Sequence, residues 1–332
     1  MSDHSNTHYD LAVIGGGING AGVARDAAGR GLKVLLCERD DLAQHTSSSS
    51  TKLIHGGLRY LEHLEFSLVR KALAEREILL RAAPHIISPL RFVMPHDTHL
   101  RPVWMIRLGL FFYDHLARRV TSPASRFIDL RRHPAGAALQ TEFRDGFEYS
   151  DAWADDARLV VLNCVDAAQR GATILPRTEC ITVEREEELW NLRLQVKNGD
   201  MFEVTARAVV NAAGPWVERF LDERSPVRAR HSVRLVKGSH IVVRKLFDHP
   251  YAYIFQNPDK RIVFAIPYEG DFTLIGTTDI EEHGNPSDVA IDAEETRYLC
   301  SMVNRYFQRS ITSSDIVWSY SGVRPLLEDE NS

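Results

Sequence analysis

Gly15, Gly17 and Gly20 stand in the spacing G-x-G-x-x-G, and an acid, Glu38, follows further along the chain. That combination of residue types can hold a dinucleotide. The first glycine permits a tight turn, the second lets backbone approach a pyrophosphate, and the third lets a helix pack closely on a sheet. Glu38 can accept hydrogen bonds from ribose hydroxyls, and its charge disfavours a 2′-phosphate. The chemistry needs a buried strand before the glycines and a helix after them, whose N-terminal N–H groups face the phosphates. A second buried strand must then carry the acid. The stretch YDLAVIGGGINGAGVARDAAGRGLKVLLCERD, from Tyr9 to Asp40, supplies these parts in order. Taken alone it does not separate NAD from FAD, and a glycine turn in an unrelated α/β unit is the blander reading.

Further along, Thr46 to Thr51 is a hydroxyl-rich run that leads into Leu53-Ile54, His55-Gly56-Gly57 and Arg59-Tyr60. Small hydroxyls and bare backbone suit a loop laid against a ligand; a solvated loop is the alternative. Ala208 to Ala213, AVVNAA, reads as a buried strand running into Gly214-Pro215-Trp216, where backbone could again approach a ligand or simply turn.

The elements that must position these residues follow from periodicity and turn signals. Leu64 to Ala82 reads as a helix with i,i+4 ion pairs, followed by prolines at 84, 89, 95 and 102 and a short strand from Leu90 to Met94. Val103 to Phe112, VWMIRLGLFF, is apolar but interrupted by Arg107 and too short to span a bilayer. It reads as a buried helix or, less favoured, as a helix lying in a membrane interface with arginines at the headgroups. Asp155 or Asp156 can cap a helix to about Arg170, and Asp292 with Glu295 forms a capping-box start for another. Strands are expected at 172–175, 181–184, 192–197 and 202–207, with an Asn198-Gly199 hairpin turn. From Val233 to Thr278 the alternation predicts an antiparallel sheet.

The chain has 332 residues, 44% hydrophobic and 26% charged, with a formal net charge of −5. These values fit a globular protein of one large or two smaller domains and give no sign of nucleic-acid binding. Four scattered cysteines lack metal-ligand spacing, so buried thiols are expected and no metal. The polar residues before Tyr9 carry no apolar signal core.

Taken together, VIGGGINGAGVARDAAGRG, TSSSSTKLIHGGLRYLEH, FEYSDAWADDARLV, VVNAAGPWV, VKGSHIVV, IGTTD and WSYSGVRPL resemble the FAD-dependent glycerol-3-phosphate dehydrogenases, in family order along nearly the whole chain. The resemblance implies an FAD-binding Rossmann-like domain of the D-amino-acid-oxidase type, assembled from residues 1–84, 150–230 and 319–332. A β-rich substrate domain would comprise 85–149 and 231–318. It implies oxidation of sn-glycerol 3-phosphate to dihydroxyacetone phosphate, with hydride passing to FAD and electrons then to quinone. The expected setting is the cytoplasmic face of the membrane, as a peripheral protein and possible homodimer. An oxidase that uses oxygen, and a non-catalytic remnant of the fold, are the alternatives.

By the same resemblance Gly15, Gly17, Gly20 and Glu38 hold the ADP part of FAD. Thr46, Ser47, Ser48, Leu53, Gly56 and Gly57 approach the pyrophosphate and flavin, and Ala213, Gly214 and Trp216 flank the cofactor. Arg59 and Arg324 are the phosphate or alkoxide clamps, with Tyr60 beside them. His240 and His55 are the candidate bases, and Thr277, Thr278 and Asp279 line the same cavity. Family members continue beyond this point with a second glycine-rich segment, F-G-G-K-L-T-T, and a helical domain. Neither is in this sequence, which therefore reads as the N-terminal part of such an enzyme.

Overall fold

The computed structural model describes residues 7–97, 102–259 and 261–328. The chain begins β1 (Thr7–Ile14), α1 (Ile18–Gly29), β2 (Val34–Cys37), the unit that the glycine spacing predicts. It continues through β3 (Leu53–Ile54), α2 (Phe66–Ala82), β4 (Ile87–Pro95), α3 (Val103–His115), β5 (Arg126–Asp129) and β6 (Asp145–Ala154). Next come α4 (Asp156–Gln169), β7 (Thr173–Leu175), β8 (Thr178–Glu186), β9 (Leu189–Val196), β10 (Met201–Asn211) and α5 (Val217–Arg224). The last part holds β11 (Val233–Arg244), β12 (Ala252–Gln256), β13 (Ile262–Tyr268), β14 (Phe272–Gly276), β15 (Ile280–Glu281), α6 (Ala293–Tyr306) and β16 (Ile316–Leu327).

Two sheets result, giving the expected α/β core and, beside it, a second sheet that is antiparallel except where β12 pairs with β4 in parallel. The first runs β7-β2-β1-β10-β9-β8, with its first four strands parallel and β8 and β9 antiparallel additions. Every residue of β2 is buried, as expected for a parallel strand covered on both faces. Small residues let α1 and α4 approach each other on one face: Ala21, Ala24 and Ala28 lie in one core cluster with Val160, Cys164 and Ala167. Asn198 takes the left-handed conformation between β9 and β10, as the Asn-Gly turn requires.

The second sheet runs β15-β11-β14-β13-β12-β4-β6-β3, with β16 also on β11 and β5 on β6. α6 covers one face through Leu299, Val303 and Tyr306, packed with Ile241, Phe255 and Ile275. α2 and α3 cover the other through Val69, Leu73, Ile106, Leu110 and Tyr113. Two expected domain boundaries fall inside elements: position 150 lies within β6 and position 319 within β16. β16 pairs with β11 from Val233↔Leu327 to Val243↔Ile316, so the residues around Arg324 belong to the antiparallel sheet.

α6 is fixed at its start by the predicted capping box. Asp292 accepts the N–H groups of Glu294 and Glu295, while Glu295 Oε2 accepts from Asp292 N at 3.0 Å. Glu295 is only 1% exposed. Its Oε1 accepts from Ser239 Oγ (2.8 Å) and Thr278 Oγ1 (2.7 Å), and Lys237 Nζ lies 3.0 Å from Oε2. Deleting one partner strands the others in low dielectric, so Glu295→Ala is expected to cost about 3–5 kcal/mol. Urea unfolding should show a lower midpoint at unchanged slope; a midpoint equal to the parent's contradicts this.

Candidate functional site

The nucleotide cradle is built where β1 ends. Gly15 has φ of +109°, and a Cβ there would lie 2.4 Å from the Ala212 carbonyl oxygen. At Gly20 a Cβ would sit 1.9 Å from the Gly15 carbonyl oxygen, so α1 can begin this close to β1 only with glycine. Gly17 supplies no side-chain cap, and Ile18 N–H donates to Ser47 Oγ at 3.0 Å. The carboxylate of Glu38 holds the turn itself: Oε2 accepts from Gly16 N at 2.7 Å and Oε1 from Asp40 N at 2.8 Å. Each oxygen keeps a second lone pair for a ribose hydroxyl.

Gly15, Gly17, Glu38, Thr46, Ser47, Ala213, Gly214 and Trp216 line one cavity of about 250 Å³. That is below the ~300–1,000 Å³ typical of pockets for drug-sized ligands, so it suits the nucleotide end of a cofactor rather than the whole. Bare glycine backbone, a helix N-terminus and an acid at a strand end are the donor set an ADP moiety needs, and the fit to FAD holds at this end. The sequence reading missed Arg39 and His45 in the same wall. Arg39 lies 4.0 Å over the Trp216 ring and His45 meets that ring edge-on at 4.7 Å. Only the position of Arg39 directly after Glu38 could have flagged it.

The remaining sequence candidates divide between two other places. Ser48 lies just beyond the cavity wall, its hydroxyl turned back on the carbonyls of Gln44 and His45. Leu53 starts β3 at the edge of the second sheet, paired to Trp153. Gly56 is buried and Gly57 takes φ of +71°. Their glycines answer to protein packing: a Cβ on Gly56 would lie 2.4 Å from Leu73, and one on Gly57 would lie 2.4 Å from the Tyr60 ring. His55, Arg59 and Tyr60 are exposed around them.

His240 lies inside the second sheet, only 2% exposed, stacked on Tyr320 at 4.7 Å and opposite Gly276, where a Cβ would strike the imidazole. Its Nε2 shares a 2.9 Å hydrogen bond with Thr51 Oγ1, and Nδ1 has no partner among the described residues. Burial, then the nearby charges of Lys52 and Arg324, pull its pKa down to about 3. Arg324 Nη2 donates to Asp279 Oδ1 at 3.1 Å on the surface side of the same strands. Thr277 is half-buried, its hydroxyl bonded to the Thr278 carbonyl. Thr278 is buried, its hydroxyl given to Glu295 and accepting from Ser239 N, so it braces the turn.

One segment joins these parts. Thr46 Oγ1 donates to the Val323 carbonyl at 2.6 Å, and Tyr320 OH donates to the Ser50 carbonyl at 2.9 Å. A Cβ on Gly322 would lie 2.6 Å from Ser49 Cβ. Lys52 Nζ and Ser50 Oγ both bond Asp156 at the start of α4, at 2.8 and 2.7 Å. Residues 46–52 thus touch the nucleotide cavity at one end and His240 at the other.

The depressed imidazole has a consequence for stability. In the unfolded chain His240 binds a proton below about pH 6.5, and in the folded chain it does not until about pH 3. Stability is therefore full above about pH 6.5 and falls as the pH drops, by roughly 2 kcal/mol for this histidine between pH 6.5 and pH 5. His249, also lowered by burial, to about 4, adds a similar slope. His240→Asn should remove about half of the combined loss, read as urea midpoints at pH 7 and pH 5. An unchanged pH dependence would show that His240 is protonated in the fold.

Comparison with known proteins agrees with this geometry. The family described as FAD dependent oxidoreductase (DAO) matches residues 10–332. A glycerol-3-phosphate dehydrogenase of Pseudomonas aeruginosa is 58% identical over 97% of this chain and 62% of its own length. A D-erythritol 1-phosphate dehydrogenase of Brucella abortus is 56% identical over 96% of this chain and 64% of its own length. The chain therefore spans under two thirds of these relatives. The crystal structure of a Bacillus halodurans glycerol-3-phosphate dehydrogenase complexed with FAD superposes with a TM-score of 0.78 at 29% identity, covering 98% of this chain and 58% of that one. With a glycine cradle shaped for the nucleotide and a match running from the first strand to the end of the chain, this protein belongs to the FAD-dependent oxidoreductase family.

Proposed function

We propose that the chain carries the FAD-binding and substrate-oxidising part of a dehydrogenase for sn-glycerol 3-phosphate, forming dihydroxyacetone phosphate. The observation that supports this reading is the shared 46–52 segment, which lines the nucleotide cradle through Thr46 and Ser47 and bonds the Val323 carbonyl beside Arg324 and the His240 ring. High identity to a glycerol-3-phosphate dehydrogenase supports the substrate class.

Bound FAD supplies the acceptor for the hydride leaving the carbinol carbon. The protein's own tasks are to fix the phosphate, take the hydroxyl proton and keep water out. Arg324, half-exposed and held by one acid, offers its remaining N–H donors to phosphate or alkoxide oxygens. Arg59 and Tyr60, exposed on the 58–63 turn, are assigned to the same task, and Asp279, the ion-pair partner of Arg324, with Thr277 completes the substrate set. His240 is neutral and keeps an acceptor nitrogen for the hydroxyl proton, but burial lowers its pKa to about 3 and makes it a weak base, well below the range near the working pH that favours general-base catalysis. His55 is the exposed alternative. The second reading, a longer polyol phosphate, is favoured by the 56% identity to the erythritol phosphate enzyme.

Anaerobic titration of the FAD-loaded protein decides the matter. Glycerol 3-phosphate should bleach the flavin band at lower concentration than erythritol 1-phosphate, and the reverse order would move the assignment to the longer substrate. Bleaching by neither sinks both. Arg324→Ala should raise the half-bleaching concentration at least about tenfold, the scale of losing a charged hydrogen bond, with FAD retained. We assign quinone as the final acceptor; substrate-dependent peroxide release in place of quinone reduction would make the protein an oxidase.

α3 is the proposed contact with a membrane surface. It exposes Trp104 (64%), Leu108, Phe111 (55%) and Met105 while burying Ile106, Leu110 and Tyr113. The helix is thus half-buried, between the two expectations. Arg107 has a ring, Phe127 at 5.1 Å, and no acid partner among the described residues. No helix among the described residues is long and apolar enough to cross a membrane. A 13-residue helix with an apolar outer stripe and arginine at its side suits an anionic lipid surface. Vesicles containing anionic lipid should sediment the protein, and Trp104→Glu with Phe111→Glu should leave it in the supernatant. Equal sedimentation of both proteins would exclude α3 as the contact.

A further inference from the structure

Beneath α2 and α3 the second sheet buries a set of charges that the proposed reaction does not use. Arg76 and Glu77 of α2, Asp151 of β6 and Tyr113 of α3 are each 3% exposed or less. Arg76 Nη1 donates to Asp151 Oδ1 at 2.7 Å and to the Ser150 carbonyl at 2.8 Å. Tyr113 OH donates to the same Oδ1 at 2.5 Å. The phenol oxygen in turn accepts the Gly56 N–H at 2.7 Å, and that N–H also lies 3.3 Å from Asp151 Oδ1. Burial pushes the Asp151 carboxyl up, against the pull of Arg76, His55 and the Tyr113 hydroxyl.

Such a group is a poor way to gain stability, because well-packed apolar residues in its place are often as good or better. Its surroundings are apolar: Val69, Leu73, Phe92, Leu110 and Tyr149 share the cluster with Tyr113. What the charges do provide is direction. Arg76, Asp151 and Tyr113 converge on one backbone N–H, that of Gly56, while Glu77 accepts from the N–H groups of Val120 and Thr121. Gly56 is closed in by Leu73 and the Tyr113 ring so tightly that no Cβ fits. The segment that starts there carries His55, Arg59 and Tyr60 outward.

We propose that Tyr113 and Asp151, held by Arg76, are positioning residues that fix the 55–60 segment for substrate binding and hydride transfer. The inference rests on the reading that this segment borders the substrate. Loss of the phenol hydroxyl leaves Gly56 N–H with only the long contact to Asp151, so the segment samples open states more often.

The test uses the full chain loaded with FAD and compares Tyr113→Phe with a control of matched stability loss in the other core, Leu299→Ala or a milder substitution there. Hydrogen exchange at Gly56 should accelerate about tenfold or more in Tyr113→Phe, as expected for one lost hydrogen bond to a buried donor. The limiting rate of flavin reduction by glycerol 3-phosphate should fall by a similar factor, with FAD affinity within about twofold of the parent's. The control should change neither. Unchanged exchange and rate in Tyr113→Phe, or equal slowing in the control, overturns the proposal. A parent that no polyol phosphate bleaches overturns the functional reading instead, and the exchange comparison then still decides whether Gly56 is pinned. Should Asp151→Ala fail to fold, Asp151→Asn retains an acceptor for Tyr113 and Gly56 and should fall between parent and Tyr113→Phe in exchange.

Discussion

α1 begins at a point where no side chain fits. The Gly20 Cα lies so close to the Gly15 carbonyl that a single added carbon would overlap it, and Gly15 itself is held against Ala212. Everything in the nucleotide cradle depends on that approach of helix to strand end. It aims the first N–H groups of α1 into the cavity, brings Ser47 within reach of Ile18, and sets Glu38 across the turn at Gly16. The alanine face of α1 against α4 serves the same end further along. Small residues here are what permit electrostatics to act at short range.

The second sheet works by a different logic. It buries Glu148 beside Arg91 and Arg126, Asp151 beside Arg76, and Glu295 beside Lys237. Each carboxylate also takes neutral donors or is ringed by apolar side chains, so none is left bare in low dielectric. Glu295 braces the turn at Thr278 under Arg324; Asp151 braces the turn at Gly56 under Arg59. The two flanks of the proposed substrate region are thus each backed by a buried acidic side chain facing inward. Rigidity at these positions comes from charge that has few other ways to be satisfied.

The same chemistry explains what was legible in the sequence. Gly15, Gly17, Gly20 and Glu38 could be read because their spacing is local and each residue has one reason to be there. The Asp292–Glu295 cap and the Asn198-Gly199 turn were readable for the same cause. β6 was not expected. Its Glu148 and Asp151 look like a solvated loop, and only the arginines that meet them from β4, β5 and α2 make them interior. The strand at 87–95 was longer than expected because Pro89 falls where β4 has β6 alone for a neighbour, beyond its short pairing with β12 at Phe92 and Val93. Thr278, expected to line the cavity, turned out to be spent on Glu295. The partner of a buried polar group is a long-range fact, and periodicity does not carry it.

The bond from Thr46 to Val323 spans 277 positions in sequence. A ribosome adding roughly 5–20 residues per second needs about 15–55 s to make that stretch. Early in this interval Gly15 to Ser47 have emerged, yet neither the 212–216 turn that forms the facing wall of the cradle nor the strand that seals its rim has been synthesised. β11 has likewise lost one edge until β16 arrives, and an open edge of twelve mostly buried residues is a place for foreign strands to pair. Until the residues from 245 to 316 and then β16 are made, the nascent chain carries a strand, buried over Val236–Val243 in the fold, with one side uncovered. That places its greatest need for protection in the cell on the ribosome rather than in the finished fold.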